Sequence, residues 1–175
     1  MPDISLRELI KSDIPIWCRW FNDPDVSEAM NKGAWPNTEE DQSDYFDRLR
    51  KSDTDAQFAI VEYSGKSELV GTIGIHKIDW VHRCGDVSIV IGRENCRGKG
   101  IGTSAIALIV QHAFDKMNLR KLTAGMWANN NGSIRAFEKN GFVLEGILKE
   151  SYYFKGQYVD ELRYALFADK WIPRT

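Results

Sequence analysis

Three glycines within the stretch Arg97-Gly98-Lys99-Gly100-Ile101-Gly102 divide two segments of opposite hydrophobic period. Ahead of them, Val87-Ser88-Ile89-Val90-Ile91 reads as a buried strand, and behind them Thr103 to Lys116 reads as a helix with a broad apolar face. Glycine at a strand-to-helix junction lets the backbone turn tightly and brings its N–H groups close to a ligand. The first helical turn adds unpaired N–H donors and the positive end of the helix dipole. The stretch is therefore an anion site in the making, suited to a phosphate or pyrophosphate. Thr103 follows Gly102 directly, so the Gly-Lys-Ser/Thr ending of a nucleoside-triphosphate loop is missing. Its late position, after four predicted strands, also departs from a dinucleotide site that opens a βαβ unit.

The remaining periodicity predicts what surrounds this junction. Ile4 to Leu9 alternates as a strand, and Ile14, Trp17, Cys18 and Phe21 mark one face of a helix that ends before Pro24. A short helix over Pro24 to Met30, a loop over Asn31 to Pro36, and a third helix capped by Thr38 follow. Strands are predicted at Gln57–Tyr63, Glu68–Ile78 and Arg83–Ile91, with a hairpin turn at Ser64 to Ser67. After the glycine junction and its helix come a strand at Lys121–Trp127 and a helix at Asn131–Lys139 stopped by Asn140-Gly141. Strands at Phe142–Tyr153 and Gln157–Phe167 complete the chain. The order β-α-α-α-β-β-β-α-β-α-β-β, without repeat or linker, predicts one α/β domain over residues 1–175 built on a mixed sheet.

Composition excludes several classes. A net charge of −2 argues against a general nucleic-acid binder. The longest apolar run, Ala105 to Val110, is too short to cross a bilayer, and no basic, apolar leader opens the chain. Cys18, Cys84 and Cys96 are odd in number and lack CxxC spacing, which predicts no disulfide framework, no metal site and a cytoplasmic location.

Beyond the glycine stretch, two further motifs stand in register. Arg97, Gly100 and Gly102 form Arg-x-x-Gly-x-Gly, Asn130 and Ser133 form Asn-x-x-Ser, and Lys139, Gly141 and Phe142 form Lys-x-Gly-Phe. With one helix and one strand between the first two, the chain resembles the GNAT superfamily of acetyl-CoA-dependent N-acetyltransferases over nearly its whole length. The resemblance implies the GNAT fold, acetyl-CoA as cosubstrate, and amides of Arg97, Gly98, Lys99, Gly100, Ile101 and Gly102 around its pyrophosphate. It implies that Ile89, Val90 and Ile91 run beside the pantetheine arm and polarise the acetyl carbonyl. Asn130 would hydrogen-bond that arm or the reacting region, with Ser133 also at the cofactor and Phe137 packed against the arm. Many members carry a tyrosine where this chain has Phe137, a side chain with no proton to donate. Tyr152 is the substitute acid expected here, with Tyr153, Ser133, a water or an unprotonated thiolate as alternatives. Asp86, at a strand position where relatives often have a glutamate, is the expected base, its structural alternative being a pair with Arg83. Cys96 is expected as a buried thiol, because GNAT chemistry needs no acyl-enzyme.

The acceptor is less sharply drawn. From Asn22 to Asp55 the carboxylates Asp23, Asp25, Glu28, Glu39, Glu40, Asp41, Asp44, Asp47, Asp53 and Asp55 face only Lys32, Arg48, Arg50 and Lys51. Such a field attracts cations. Trp20 and Trp35 fall off the core face of the first helix or in the following loop, and are expected as walls of the acceptor pocket, with a packing role as the alternative. Trp20-Phe21-Asn22-Asp23-Pro24-Asp25-Val26 is similar to a segment of nucleotide-amino-sugar acetyltransferases. Val81-His82-Arg83 and Phe154 to Tyr158 are similar to spermidine acetyltransferases. The layout also resembles ribosomal-protein N-terminal acetyltransferases. The expected acceptor is a small-molecule primary amine, polyamine or amino sugar, with a protein N-terminus or a non-catalytic acetyl-CoA sensor as alternatives. A homodimer without nucleic-acid or membrane partners is the expected assembly.

Overall fold

A computed structural model describes residues 2–27, 30, 37–63 and 67–173. Its elements run β1 (Ile4–Glu8), α1 (Ile14–Asn22), α2 (Pro24–Ser27), α3 (Glu39–Leu49), β2 (Ala56–Tyr63), β3 (Ser67–Asp79), β4 (Cys84–Ile91), α4 (Ile101–Asp115), β5 (Lys121–Trp127), α5 (Asn131–Glu138), β6 (Val143–Phe154) and β7 (Gln157–Phe167). The order is the one that periodicity predicts, with most ends shifted by one or two residues; the helix expected over Pro24 to Met30 is described over Pro24–Ser27, and residues 28–29 lie outside the described residues. The loop over Asn31 to Pro36, the tip of the hairpin between β2 and β3, and Trp35 lie outside the described residues.

The seven strands form one mixed sheet in the order β1-β2-β3-β4-β5-β7-β6. The pairings are antiparallel except for β4 with β5. That parallel pairing is short: Cys84 faces Lys121, Gly85 faces Leu122, Asp86 faces Thr123, and no further pair forms. Beyond Asp86 the two strands part, and alternate backbone groups along the free edge of β4 turn into the gap. This splay is the feature of the fold that makes a site.

Each face of the sheet has its own packing. On one face Ile73, Ile75, Val87, Leu122, Ala124 and Leu166 bury against Ile101, Ile106, Ile109, Val110 and Ala113 of α4. Burying such aliphatic side chains yields about 1.5–3 kcal/mol apiece before the entropic cost of ordering them. On the other face Trp17, Trp20, Phe21 and Val26 pack over Ala59 and Leu69, so α1 and α2 cover the first strands. Trp20 is pressed against Gly92, just past the end of β4, where any Cβ would occupy the space of its indole ring. Glycine at position 92 is what lets α1 dock there.

Candidate active site

The glycine junction folds as its sequence requires. Gly98 and Gly100 adopt left-handed φ of 73° and 85°, a region costly for residues with a Cβ. Gly100 caps α4 without any side-chain hydrogen bond. The first intrahelical bond of the turn is Ser104 N–H to the Gly100 carbonyl at 3.0 Å. The N–H groups of Ile101, Gly102 and Thr103 therefore precede the helix's own acceptors and are available to a ligand. Arg97 serves the loop differently from the expectation. Its N–H donates to the Glu94 carbonyl at 3.0 Å, and its guanidinium donates to the carbonyls of Ile91 at 3.1 Å and Gly92 at 3.3 Å. Arg97 thus fastens the loop to the end of β4, and its amide is already engaged.

Across the splay, α5 begins at Asn130, whose side-chain oxygen accepts the Ser133 N–H at 3.1 Å. This bond explains the Asn-x-x-Ser spacing as a helix cap. A cleft of about 480 Å³ lies between the two helix starts and the end of β4. Its walls include Ile89, Val90, Ile91, Gly98, Gly100, Gly102, Thr103, Asn130, Gly132, Ser133, Arg135 and Lys139, with Asp25, Val26 and Met30 at the side where α2 approaches. Gly102 is decisive for its shape: a Cβ there would point at the Ile89 and Ile91 side chains, 3.8 and 3.9 Å away, inside the cleft. Asn140 holds the two helices in place, donating to the Thr103 carbonyl at 3.0 Å and the Ala136 carbonyl at 2.8 Å.

Several expected residues stand elsewhere. Phe137 is 2% exposed and meets Phe142 edge-on at 5.0 Å, so it supports α5 from the core and does not line the cleft. Trp20 is 6% exposed within the packing of α1, which makes it a support beneath the β4 end and not an open wall. The physical reason is that α1 buries five of its nine residues, a wider face than one helical stripe. The Ile101 side chain is buried in the core, so it offers backbone only, whereas Lys99 is exposed and its ammonium lies near enough to Cys96 to act on that thiol. Cys96 is buried at the cleft, and burial together with Glu62 pushes its thiol up, away from the reactive thiolate.

Asp86 sits at the apex of the splay, on the sheet face opposite α4. Its Oδ1 accepts from the Thr123 hydroxyl at 2.6 Å and from the Arg163 guanidinium at 2.8 Å. Its ion-pair partner is thus Arg163, whereas Arg83 donates to Asn118 at 3.2 Å. Arg163 also pairs with Glu161 at 3.0 Å. Burial pulls the guanidinium down, but Asp86 and Glu161 outweigh it and leave it above its ordinary value. Glu161 also neighbours Tyr152. Burial first, then the neighbouring Glu161, pushes Tyr152 up to about 12. Trp127 packs on Tyr152 at 5.6 Å and Phe154 at 4.7 Å beside this network. Arg163, Glu161, Thr123 and Trp127 form no motif in the sequence; strand pairing across β4, β5, β7 and β6 brings them together.

With this geometry in view, residues 3–143 match the acetyltransferase (GNAT) domain family. The chain belongs to the GNAT acetyltransferases. It is accordingly an N-acetyltransferase, of a family that takes its acetyl group from acetyl-CoA. Spermidine N(1)-acetyltransferase of Escherichia coli strain K12 is 31% identical over 130 residues, covering 74% of this chain and 68% of that protein. Spermidine N(1)-acetyltransferase of Vibrio cholerae is 26% identical over 178 aligned residues, covering 99% and 92%. A crystal structure of the Vibrio cholerae spermidine N-acetyltransferase in complex with CoA and spermine superposes with a TM-score of 0.89, covering 96% of this chain and 97% of that one at 21% identity. At that identity the superposition shows the GNAT fold. Among the described residues no helix is long and apolar enough to cross a membrane.

Proposed function

We propose that the chain, as one domain over residues 1–175, transfers the acetyl group of acetyl-CoA to a primary amine of a polyamine. The amine nitrogen attacks the thioester carbonyl directly; the C–S bond breaks, coenzyme A leaves as thiolate, and the amine gives up a proton. The observation that carries this reading is the cleft at the β4–β5 splay, which joins free N–H groups of α4 to an unpaired strand edge. Ile101, Gly102 and Thr103 would take the pyrophosphate, and the absence of a Cβ at Gly102 leaves it room. The edge of β4 at Ile89, Val90 and Ile91 would hold the arm and polarise the carbonyl as attack proceeds. Asn130 and Ser133 would border the arm from α5.

The acceptor is read from charge and kinship together. Asp86 and Glu161 flank a single Arg163 on the face opposite α4, an excess of one carboxylate beside the aromatic surface of Trp127, Tyr152 and Phe154. Asp25 adds a carboxylate at the cleft rim. An ammonium ion suits that side, and both named relatives are spermidine acetyltransferases. Asp86 is the proposed base, through a water, with Arg163 and Thr123 fixing its orientation. Tyr152 is a poor acid in this setting. A phenol at about 12 is a weaker acid than a thiol of pKa ~8.5, so protonating the thiolate would run uphill by some 4–5 kcal/mol on the order of 1.4 kcal/mol per unit. We therefore assign protonation of the leaving thiolate to solvent.

A homodimer is proposed as the assembly. Val143, Leu144, Ile147 and Leu148 are exposed along the sheet-edge strand β6, and a dodecameric structure is known for the Vibrio cholerae enzyme. Light scattering tests it, a monomer contradicting it. The catalytic reading is tested by a panel of polyamines, amino sugars and peptides with acetyl-CoA, read by mass spectrometry. Acetylated spermidine is the expected product. Acetylation confined to peptide N-termini or amino sugars would overturn the acceptor.

A further inference from the structure

The amides of the glycine loop and of the first turn of α4 can hold one pair of phosphates without any basic side chain, yet two cationic side chains also line the cleft, with Asp25 at its opposite rim. Gly132, Arg135, Ala136 and Lys139 all line it, at the spacing i, i+3, i+4, i+7 that places them on one face of a helix about 10 Å long. The face is neutral at its start, where Gly132 follows the Asn130 cap, and cationic at its end. Asn140, the next residue, donates to the Thr103 carbonyl at 3.0 Å in the first turn of α4. Arg135 and Lys139 therefore stand at the phosphate end of the cleft. Among the described residues neither takes part in an ion pair. Arg97, the basic side chain that motif logic would assign to phosphate, is spent on the carbonyls of Ile91 and Gly92. The helix dipole favours cations at the end of α5 on any account, but it does not require them to face the cleft.

Coenzyme A carries a third phosphate, the 3′-phosphomonoester of its ribose, a dianion that the α4 amides cannot reach while holding the pyrophosphate. We propose that Arg135 and Lys139 read this 3′-phosphate and so select coenzyme A over its dephospho form. Arg135 offers a planar fork for a phosphate face and Lys139 a mobile point charge. The proposal rests on the acetyl-CoA reading of the cleft, and the experiment separates the two.

Calorimetric titration compares CoA with 3′-dephospho-CoA on the native chain and on the double variant Arg135→Gln/Lys139→Gln. The native chain is expected to bind CoA at least about tenfold more tightly, the scale of a charge-assisted contact. In the double variant CoA affinity falls to that of the dephospho form, whose own affinity changes less than about twofold. Arg135→Lys/Lys139→Arg retains the preference. Melting temperatures without ligand confirm that the variants fold, and each single variant is expected to lose part of the preference. Equal affinities on the native chain overturn the proposal, as does equal weakening of both ligands in the variant, which would assign the cations to the pyrophosphate. Failure of the native chain to bind either ligand would instead remove the acetyl-CoA reading itself.

Discussion

Replacing Gly102 with alanine pits the fold against the site. Gly102 lies in the first turn of α4, and its φ is not in the left-handed region that would forbid a side chain. An added Cβ would meet Ile89 Cδ1 at 3.8 Å and Ile91 Cγ1 at 3.9 Å, ordinary van der Waals contacts. The free protein has no reason to resist the change, and helix propensity favours alanine by about 0.5–1 kcal/mol. For a chain of this length that raises Tm by about 1–4 °C. The ligand meets the opposite consequence. The methyl group occupies the approach to the Ile101, Gly102 and Thr103 amides, so the pyrophosphate must move outward and lose at least about tenfold in affinity. At a ligand concentration about 100 times the native Kd, the stabilisation by acetyl-CoA falls from ~2.7 to ~1.4 kcal/mol. Thermal melting with and without acetyl-CoA reads both signs at once. A higher melting temperature with an undiminished ligand shift would refute the loop as the pyrophosphate site.

Three other perturbations probe separate parts of the account. Asp86→Asn keeps the hydrogen-bonding shape but removes the charge. It is expected to lower kcat/KM by about 10²–10⁴, and an unchanged kcat/KM would remove Asp86 as base. Asn140→Ala strips the tie between α5 and α4, two hydrogen bonds worth about 0.5–1.5 kcal/mol each, seen as a lower denaturation midpoint together with weaker acetyl-CoA binding. Because Tyr152 is raised to about 12 from the ordinary ~10, its neutral form stabilises the fold fully below pH ~10, and that contribution is lost as pH rises toward ~12. Ultraviolet titration of Tyr152→Phe against the native chain should lose a late-ionising phenol, and loss of one ionising near pH 10 would contradict the Glu161 contact.

Local chemistry explains which features are legible in the sequence. Gly98 and Gly100 announce themselves because only glycine adopts their φ cheaply, and Asn130 does so because a helix cap needs its acceptor three residues before the N–H it receives. Strand and helix order follows from period alone. Trp20 lies off the stripe marked by Ile14, Trp17, Cys18 and Phe21, and its burial is not legible locally because it depends on a second flank of α1 meeting Gly92. Phe137 was expected against the ligand and instead braces Phe142, since the cleft runs along the adjacent face of α5. Arg163 lies 77 residues from Asp86, and their contact depends on β7 returning beside β5, which no local pattern encodes. The proposed donor half of the site is local and readable; the proposed acceptor half is assembled by sheet topology.

The central claim is that this cleft delivers an acetyl group to a polyamine. Incubating the purified chain with acetyl-CoA and spermidine, while following free thiol and product mass together, tests it most directly. One acetyl group is expected on spermidine per thiol released, with both slowed together in Asp86→Asn. Acetyl-CoA binding without thiol release on spermidine or spermine would contradict it.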